Sequence, residues 1–387
     1  MTGLEISIHN LYEDQRHEEK IKQEDEMRFR NYTVLMILTV FVLLIADCWE
    51  EKTGWRGTVS QEDGITIISN PKEPMYAGEV LTLEKDLTIG GSDQDTEKVF
   101  NQLLSLDVDD RGNIFILSNR EAGVFVYDNQ GNFLIKFGNR GQGPGEFQSP
   151  VSISVQANKI MIADQARKIS FFDRQGNFLN SFSTTQYSLL MASLDSKGNI
   201  YGLEAGMVGD DPAVKLLKFD QEMNFIGEFA AYLIPADKGL DPFMPFPLFQ
   251  IGLDDMVVFS RPEDYSLEYY DADGRLFCQV KKAYRPVRIS HEDKDKMKEK
   301  LYRQAEFEFE YHPGFGTFIV DDQGWLFVQT FDRSPEGNYI YDVFDAEGRF
   351  ITRIPIKGQP LVGANERLYC REEDEDGFDL VVRYLLK

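Results

Sequence analysis

Histidine is scarce in this 387-residue sequence: there are four, and His9 and His17 precede an apolar run near the N-terminus. A histidine-based metal centre in the remainder would rest on His291 and His312 alone. Cysteine is scarcer still. Cys48, Cys278 and Cys370 form neither a disulfide framework nor a metal-type spacing. Cys278 and Cys370 lie in apolar strand patterns and read as small core residues. Positive charge is also in deficit. Against 65 Asp and Glu stand 41 Lys and Arg, a net charge of −24. Nucleic-acid binding needs basic patches, so that class is excluded as a partner. The GxSxG elbow, HExxH and the P-loop are all missing, which removes the common signatures of hydrolases, zincins and NTPases.

What the chain has is a repeated phrase. Asp110-Arg111-Gly112-Asn113-Ile114-Phe115 opens a copy that runs through Val124-Phe125-Val126-Tyr127-Asp128-Asn129-Gln130-Gly131-Asn132-Phe133. Asp173-Arg174-Gln175-Gly176-Asn177-Phe178 and Asp195-Ser196-Lys197-Gly198-Asn199-Ile200 repeat it, as do Tyr270-Asp271-Ala272-Asp273-Gly274, Asp321-Asp322-Gln323-Gly324 and Phe344-Asp345-Ala346-Glu347-Gly348. β-branched and aromatic residues flank turns whose glycines suit a positive φ. A repeat of roughly 40–50 residues with four short strands is the signature of a propeller blade.

These copies resemble the NHL-repeat and TolB-like six-bladed β-propellers over about residues 60–387, and Gly138-Asn139-Arg140-Gly141-Gln142-Gly143-Pro144-Gly145-Glu146-Phe147 is similar to their interblade loop. The fold class expected is therefore all-β: a six-bladed β-propeller with four-stranded blades, closed by an N-terminal strand, with one helical insertion and an N-terminal membrane segment. The resemblance says little about activity, because this architecture hosts many functions. Some NHL proteins bind RNA, which the charge balance opposes. Some propellers of this shape are lactonases or lyases with an axial metal.

Along the chain, residues 1–31 are charged and read as disordered. Residues 32–49 hold the apolar run Thr33 to Ala46, flanked by Arg28 and Arg30. Its length of about fourteen suits a signal-peptide core better than a spanning helix. Ile45-Ala46-Asp47-Cys48 resembles a bacterial lipobox with Cys48 as the lipidation candidate, although Asp47 stands where a small residue is wanted. A start at Met27 would give a signal peptide of ordinary length. The alternative is a single signal anchor with residues 1–30 inside. Both put the propeller on the periplasmic or extracellular side, with the membrane as a partner. Residues 50–63 read as a tether and 64–387 as the propeller, with insertions at 231–246 and 282–315. Blades are expected at about 103–138, 150–183, 189–230, 247–281, 316–354 and 360–386. The strand Ile65-Thr66-Ile67-Ile68 is expected to close the last blade against Leu380–Leu385. A helix is expected from His291 to Phe307.

With strands named A to D from the axis outward, B–C and D–A connections emerge on one face. The long connections are all of the D–A type, so this is the face to examine. It also carries Arg120, Arg140, Arg167, Arg261, Arg333 and Arg371 as ligand-binding candidates. Guanidinium forks suit carboxylate, phosphate or sulfate. The opposing possibility is that each pairs within its own loop, with Glu121, Asp164, Asp264, Asp332 and Glu372 nearby. The glycines around Gly141, Gly143 and Gly145 either cradle an anion with their N–H groups or simply let the chain cross between blades. The aromatics of the insertions form a carbohydrate or peptide platform, or the core of a cap. Turn carboxylates such as Asp110, Asp173, Asp271 and Asp345 read as bonding their own backbone. No cofactor is expected; Ca²⁺ is chemically feasible but no spacing points to it. The function expected is a binding or scaffold module for a protein, peptide or small anionic ligand. The alternative is a lactonase-like hydrolase or lyase at the axial mouth of the loop-rich face.

Overall fold

Six four-stranded blades radiate around a common axis in the computed structural model, which describes residues 54–91, 100, 102–156, 158–234, 241–301 and 307–387. The membrane and lipidation segment falls outside these residues. Among the described residues no helix is long and apolar enough to cross a membrane. Blades 1 to 5 are continuous in sequence, running Leu103–Phe137, Pro150–Ser183, Leu189–Leu233, Phe249–Lys282 and Phe318–Ile356.

Each blade repeats the same local chemistry. At the first A–B turn Asp109 accepts hydrogen bonds from the backbone of Arg111 (2.9 Å) and Asn113 (2.8 Å), and from the Asn113 side chain (2.9 Å). Gly112 supplies φ +78 between them. Asp128, Asp173, Asp195 and Asp220 build the same turn with an Asn four residues on. Asp271 and Asp345 make the backbone part of it, as the sequence suggested. Asp110 differs: it pairs with Arg174 of the next blade.

Six apolar clusters hold the ring together, one between each pair of neighbouring blades. In the wedge between blades 1 and 2, Phe115, Val124 and Val126 meet Ile153, Ile160 and Phe172. Burial of one such side chain contributes about 1.5–3 kcal/mol. Polar side chains, three of them on innermost strands, add directed bonds across the same gaps. Asp107 accepts from Val155 N (2.6 Å), Ser154 from Leu194 N (3.0 Å), Gln250 from Val320 N (2.7 Å), and Asp379 from Leu103 N (2.7 Å).

Closure differs from the expectation. The strand that completes blade 6 is β3 (Leu83–Gly90), antiparallel to Asp379–Leu386 with Val381 opposite Ile89. Ile65–Ile68 belongs to β2 (Ile65–Asn70), which pairs in parallel with Leu276–Lys282 on the outer edge of blade 4. Residues 58–62, expected as tether, form β1 (Thr58–Glu62) and extend that sheet to six strands. The β-branched run of β2 announced a strand but not its partner. Asn70 fixes the partner: its buried amide accepts from Trp55 Nε1 and Phe350 N (both 2.8 Å) and donates to Gly348 O (2.8 Å) and Lys281 O (3.2 Å). The chain then bonds Phe350 O and Ile351 O through Met75 N and Tyr76 N, crossing the edge of blade 5 on its way to blade 6.

A candidate ligand cleft on the loop-rich face

The two long D–A connections, after blades 3 and 4, meet over blades 4 and 5. Asp241, in the first, is buried, and its carboxylate accepts from Glu308 N (2.5 Å) and Phe309 N (3.2 Å) in the second and from Phe243 N (2.8 Å) in its own turn. Phe243 packs against Phe307 (ring centroids 5.3 Å) and edge-on to His312 (5.5 Å). The helix α1 (His291–Leu301) is shorter in the described residues than the expected span to Phe307. It starts in a reciprocal cap: Ser290 Oγ accepts from Asp293 N (3.0 Å), and Asp293 accepts from Ser290 N (3.0 Å) and Ser290 Oγ (2.6 Å).

Between these pieces lies a cleft of about 360 Å³, lined by Phe243, Met244, Phe246, Met297, Phe315 and Phe331 among its apolar residues. Asp293, Lys296, His312, Arg333 and Tyr339 are the charged or titratable groups in its wall. His312 stacks flat on Phe331 at 4.1 Å, with Nε2 3.5 Å from the Asp293 carboxylate. Its Nδ1 is buried and has no hydrogen-bond partner among the described residues. That pattern assigns the proton of neutral His312 to Nε2. Burial pushes His312 below the ordinary imidazole value, against the opposing pull of Asp293. Burial alone would raise Asp293; hydrogen bonds from Ser290, with His312 beside it, outweigh this and hold it below the usual carboxylate value.

Arg333 is exposed at the edge of this cleft, its guanidinium over the Tyr339 ring at 3.2 Å, with one N–H donated to Gly337 O (3.0 Å). The same two side chains line a second, polar cavity of about 740 Å³ with Gln329, Asn338, Gln359 and Arg371. Arg333 and Tyr339 thus form a wall shared by an apolar chamber and a polar one.

The six arginines lie on the loops and strand ends of five blades. Arg120 is exposed on the blade 1 B–C loop. Arg140 spends its fork on Gln148 O (2.8 Å) and Asn119 O (2.7 Å). Arg167 donates to Thr185 O (3.2 Å). Arg261 pairs with Glu268 (2.7 Å) and Arg371 with Asp379 (2.6 Å). Arg333 and Arg371 line the same cavity. Three of the acids named from sequence are engaged elsewhere. Asp332 pairs with Arg353 (2.6 Å), Glu372 with Lys357 (2.9 Å), and Asp164 caps the backbone of Gln148 and Ser149. Among the described residues Arg333 has no carboxylate within ion-pair distance, the nearest sequence candidate being taken by Arg353.

The glycine loop is not an open anion cradle. The Glu146 carboxylate accepts from Gly143 N (2.8 Å), and a Cβ at Gly141 would stand 2.0 Å from Glu146 Oε2. The chain fills that concavity with its own carboxylate.

The axis holds a cavity of about 480 Å³ formed by the later halves of the A strands of all six blades, toward the short-turn end rather than the loop-rich end. Asp107 lines it. Burial pushes its carboxyl up to about 7, against the amides of Val155 and Val108, with Asp109 adding to the rise. Among the described residues no group of three or more His, Cys, Asp or Glu could hold a metal ion.

Sequence reasoning marked both insertions but not His312, Asp293, Phe331, Asp241 or Tyr339 as site residues. The available signals were the Ser290-x-x-Asp293 cap and the position of both insertions on consecutive D–A connections.

Residues 97–239 match a family model described as a 6-bladed beta-propeller. No curated protein matches the sequence. Among solved structures, a presumed exported protein of Bacteroides fragilis is 14% identical, with a TM-score of 0.55, covering 83% of this chain and 99% of its own. A member of the duf4221 family from Bacteroides vulgatus is 12% identical with a TM-score of 0.49, covering 79% of this chain and 98% of its own. Virginiamycin B lyase from Staphylococcus aureus, catalytically inactive and bound to quinupristin, is 13% identical with a TM-score of 0.41, covering 79% and 88%. The family match and the first structure agree with the blade count above: the protein is a six-bladed β-propeller.

Proposed function

We propose that the protein is an outward-facing binding propeller, tethered at the membrane by its N-terminus, whose site is the cleft beneath the two insertions. Its ligand carries an apolar body and an anionic group. The observation that supports this most is Arg333, a guanidinium without a carboxylate partner among the described residues, at the rim of an aromatic cleft. A chain of net charge −24 repels anions at long range, but salt screens that field beyond about 8–10 Å, so a local fork can still select them. Export is supported by the run Thr33 to Ala46 behind Arg28 and Arg30, and the Bacteroides fragilis neighbour carries an exported description.

The test is a thermal-shift titration with 3-phenylpropionate and its neutral amide. The acid should raise the midpoint of the wild type, and the amide and Arg333→Glu should each remove the effect. Equal shifts from acid and amide would overturn the anionic reading. The enzymatic alternative moves to the axial cavity, where Asp107, pushed up to about 7, and Asp321, also raised by burial, are general acid or base candidates.

A further inference from the structure

The ligand class can be narrowed, on the reading that the cleft binds an anion. We infer that the two chambers form one site for a short peptide with a free carboxyl terminus. A large apolar side chain would enter the cleft, the carboxylate would meet Arg333, and the preceding amides would lie over the polar chamber.

Three observations lead there. The apolar cleft of about 360 Å³ is near the lower end of ligand-pocket sizes, so it holds one ring-sized group and not an extended molecule. The adjoining cavity, about 740 Å³, is lined by Gln329, Asn338 and Gln359, whose side-chain amides both donate and accept, together with Arg371, Glu372 and Glu373. A peptide bond offers one donor and one acceptor to match them. The divider between the chambers is a guanidinium seated over a ring at 3.2 Å, pre-oriented so that less freedom is lost when a carboxylate docks.

A sugar fits less well. Carbohydrate recognition uses open aromatic faces, and here Arg333 covers one face of Tyr339 while His312 covers one face of Phe331. His312 is the back wall of the apolar chamber, nine-tenths buried, and its Nδ1 has no partner among the described residues. A neutral imidazole with that nitrogen unprotonated adds no positive charge, and Lys296, the other cation of the wall, is paired with Glu292 (2.6 Å), so the carboxylate is directed to Arg333 at the rim.

The experiment is isothermal titration calorimetry of the full chain with four probes: Ala-Ala-Phe, its carboxyl-terminal amide, Ala-Ala-Ala and 3-phenylpropionate. Ala-Ala-Phe should bind tightest. Amidation or loss of the ring should each weaken it more than about tenfold, as expected for losing a charged hydrogen-bond partner or a buried ring. Gln329→Ala with Asn338→Ala should weaken Ala-Ala-Phe and leave 3-phenylpropionate unchanged; Arg333→Gln should weaken both. An unchanged urea midpoint for each variant shows that the fold is kept. If 3-phenylpropionate binds as well as Ala-Ala-Phe, the peptide inference fails and the cleft reading stands. If no probe binds the wild type, both fail.

Discussion

Asp241 and Glu308 stand 67 positions apart in sequence, and the Asp241 carboxylate accepts the Glu308 backbone N–H at 2.5 Å. This contact joins the two insertions into one wall of the cleft, with a further bond from Phe309 N. Asp241→Ala removes the acceptor of the buried Phe243 N–H and of the part-buried Glu308 and Phe309 N–H groups, and should cost about 1–3 kcal/mol. It should also abolish 3-phenylpropionate binding, because Phe243 loses its anchor. Asp241→Asn keeps one acceptor oxygen and should lose less. Urea unfolding with calorimetry on the same samples checks both; a stable Asp241→Ala variant that binds normally would contradict the pairing's role.

The N-terminal strands should separate into two functions. Deleting residues through 70 removes β1 and β2 from the edge of blade 4, and should lower the thermal midpoint while unfolding stays cooperative. Deleting through 90 also removes β3, leaving blade 6 with three strands and the ring open. Cooperative unfolding should then disappear. Calorimetric scans of both deletions would show it, and equal behaviour would be evidence against closure by β3.

His312 gives a pH signature. Its folded value lies below 6.5, so the unfolded chain takes up the proton first as pH falls. Above about 6.5 the residue imposes no pH dependence. From there down through its folded value the wild type should lose stability relative to His312→Phe, which keeps a ring against Phe331. The readout is the difference in urea midpoint between the two proteins from pH 8 to pH 5. A difference that stays constant would mean that His312 is not buried neutral.

At the N-terminus, Cys48→Ala should abolish incorporation of labelled fatty acid. Unchanged labelling, or a mature chain beginning before residue 48, would favour the signal-anchor alternative.

Much of the fold was legible because the Asp-x-x-Gly turns repeat with a fixed offset and each needs a left-handed residue, which Gly112, Gly176 and Gly348 provide and Met223 supplies after Asp220. The closing strand was not. Leu83–Gly90 carries Glu84, Lys85 and Asp86 on a solvated edge and buries only Ile89 fully, so no apolar pattern marks it. The site was half legible. Strand alternation placed the insertions and Arg333 on one face, but ion pairing was misread because proximity in sequence is a poor guide across strands. Arg353 reaches Asp332 from the neighbouring strand pair, 21 residues away, and so leaves Arg333 to Tyr339. The bonds from Asp241 to Glu308 and Phe309 depend on two loops meeting, which no local pattern encodes.

The most direct measurement is the affinity of 3-phenylpropionate for three proteins: the wild type, Arg333→Glu, and a double variant with Arg120→Glu and Arg167→Glu. All three arginines are exposed, so substitution should cost little stability. Only Arg333 borders the cleft. The account predicts that Arg333→Glu abolishes binding while the double variant binds within about twofold of the wild type. Loss in the double variant with Arg333→Glu unaffected would contradict it and place the anion site over blades 1 and 2.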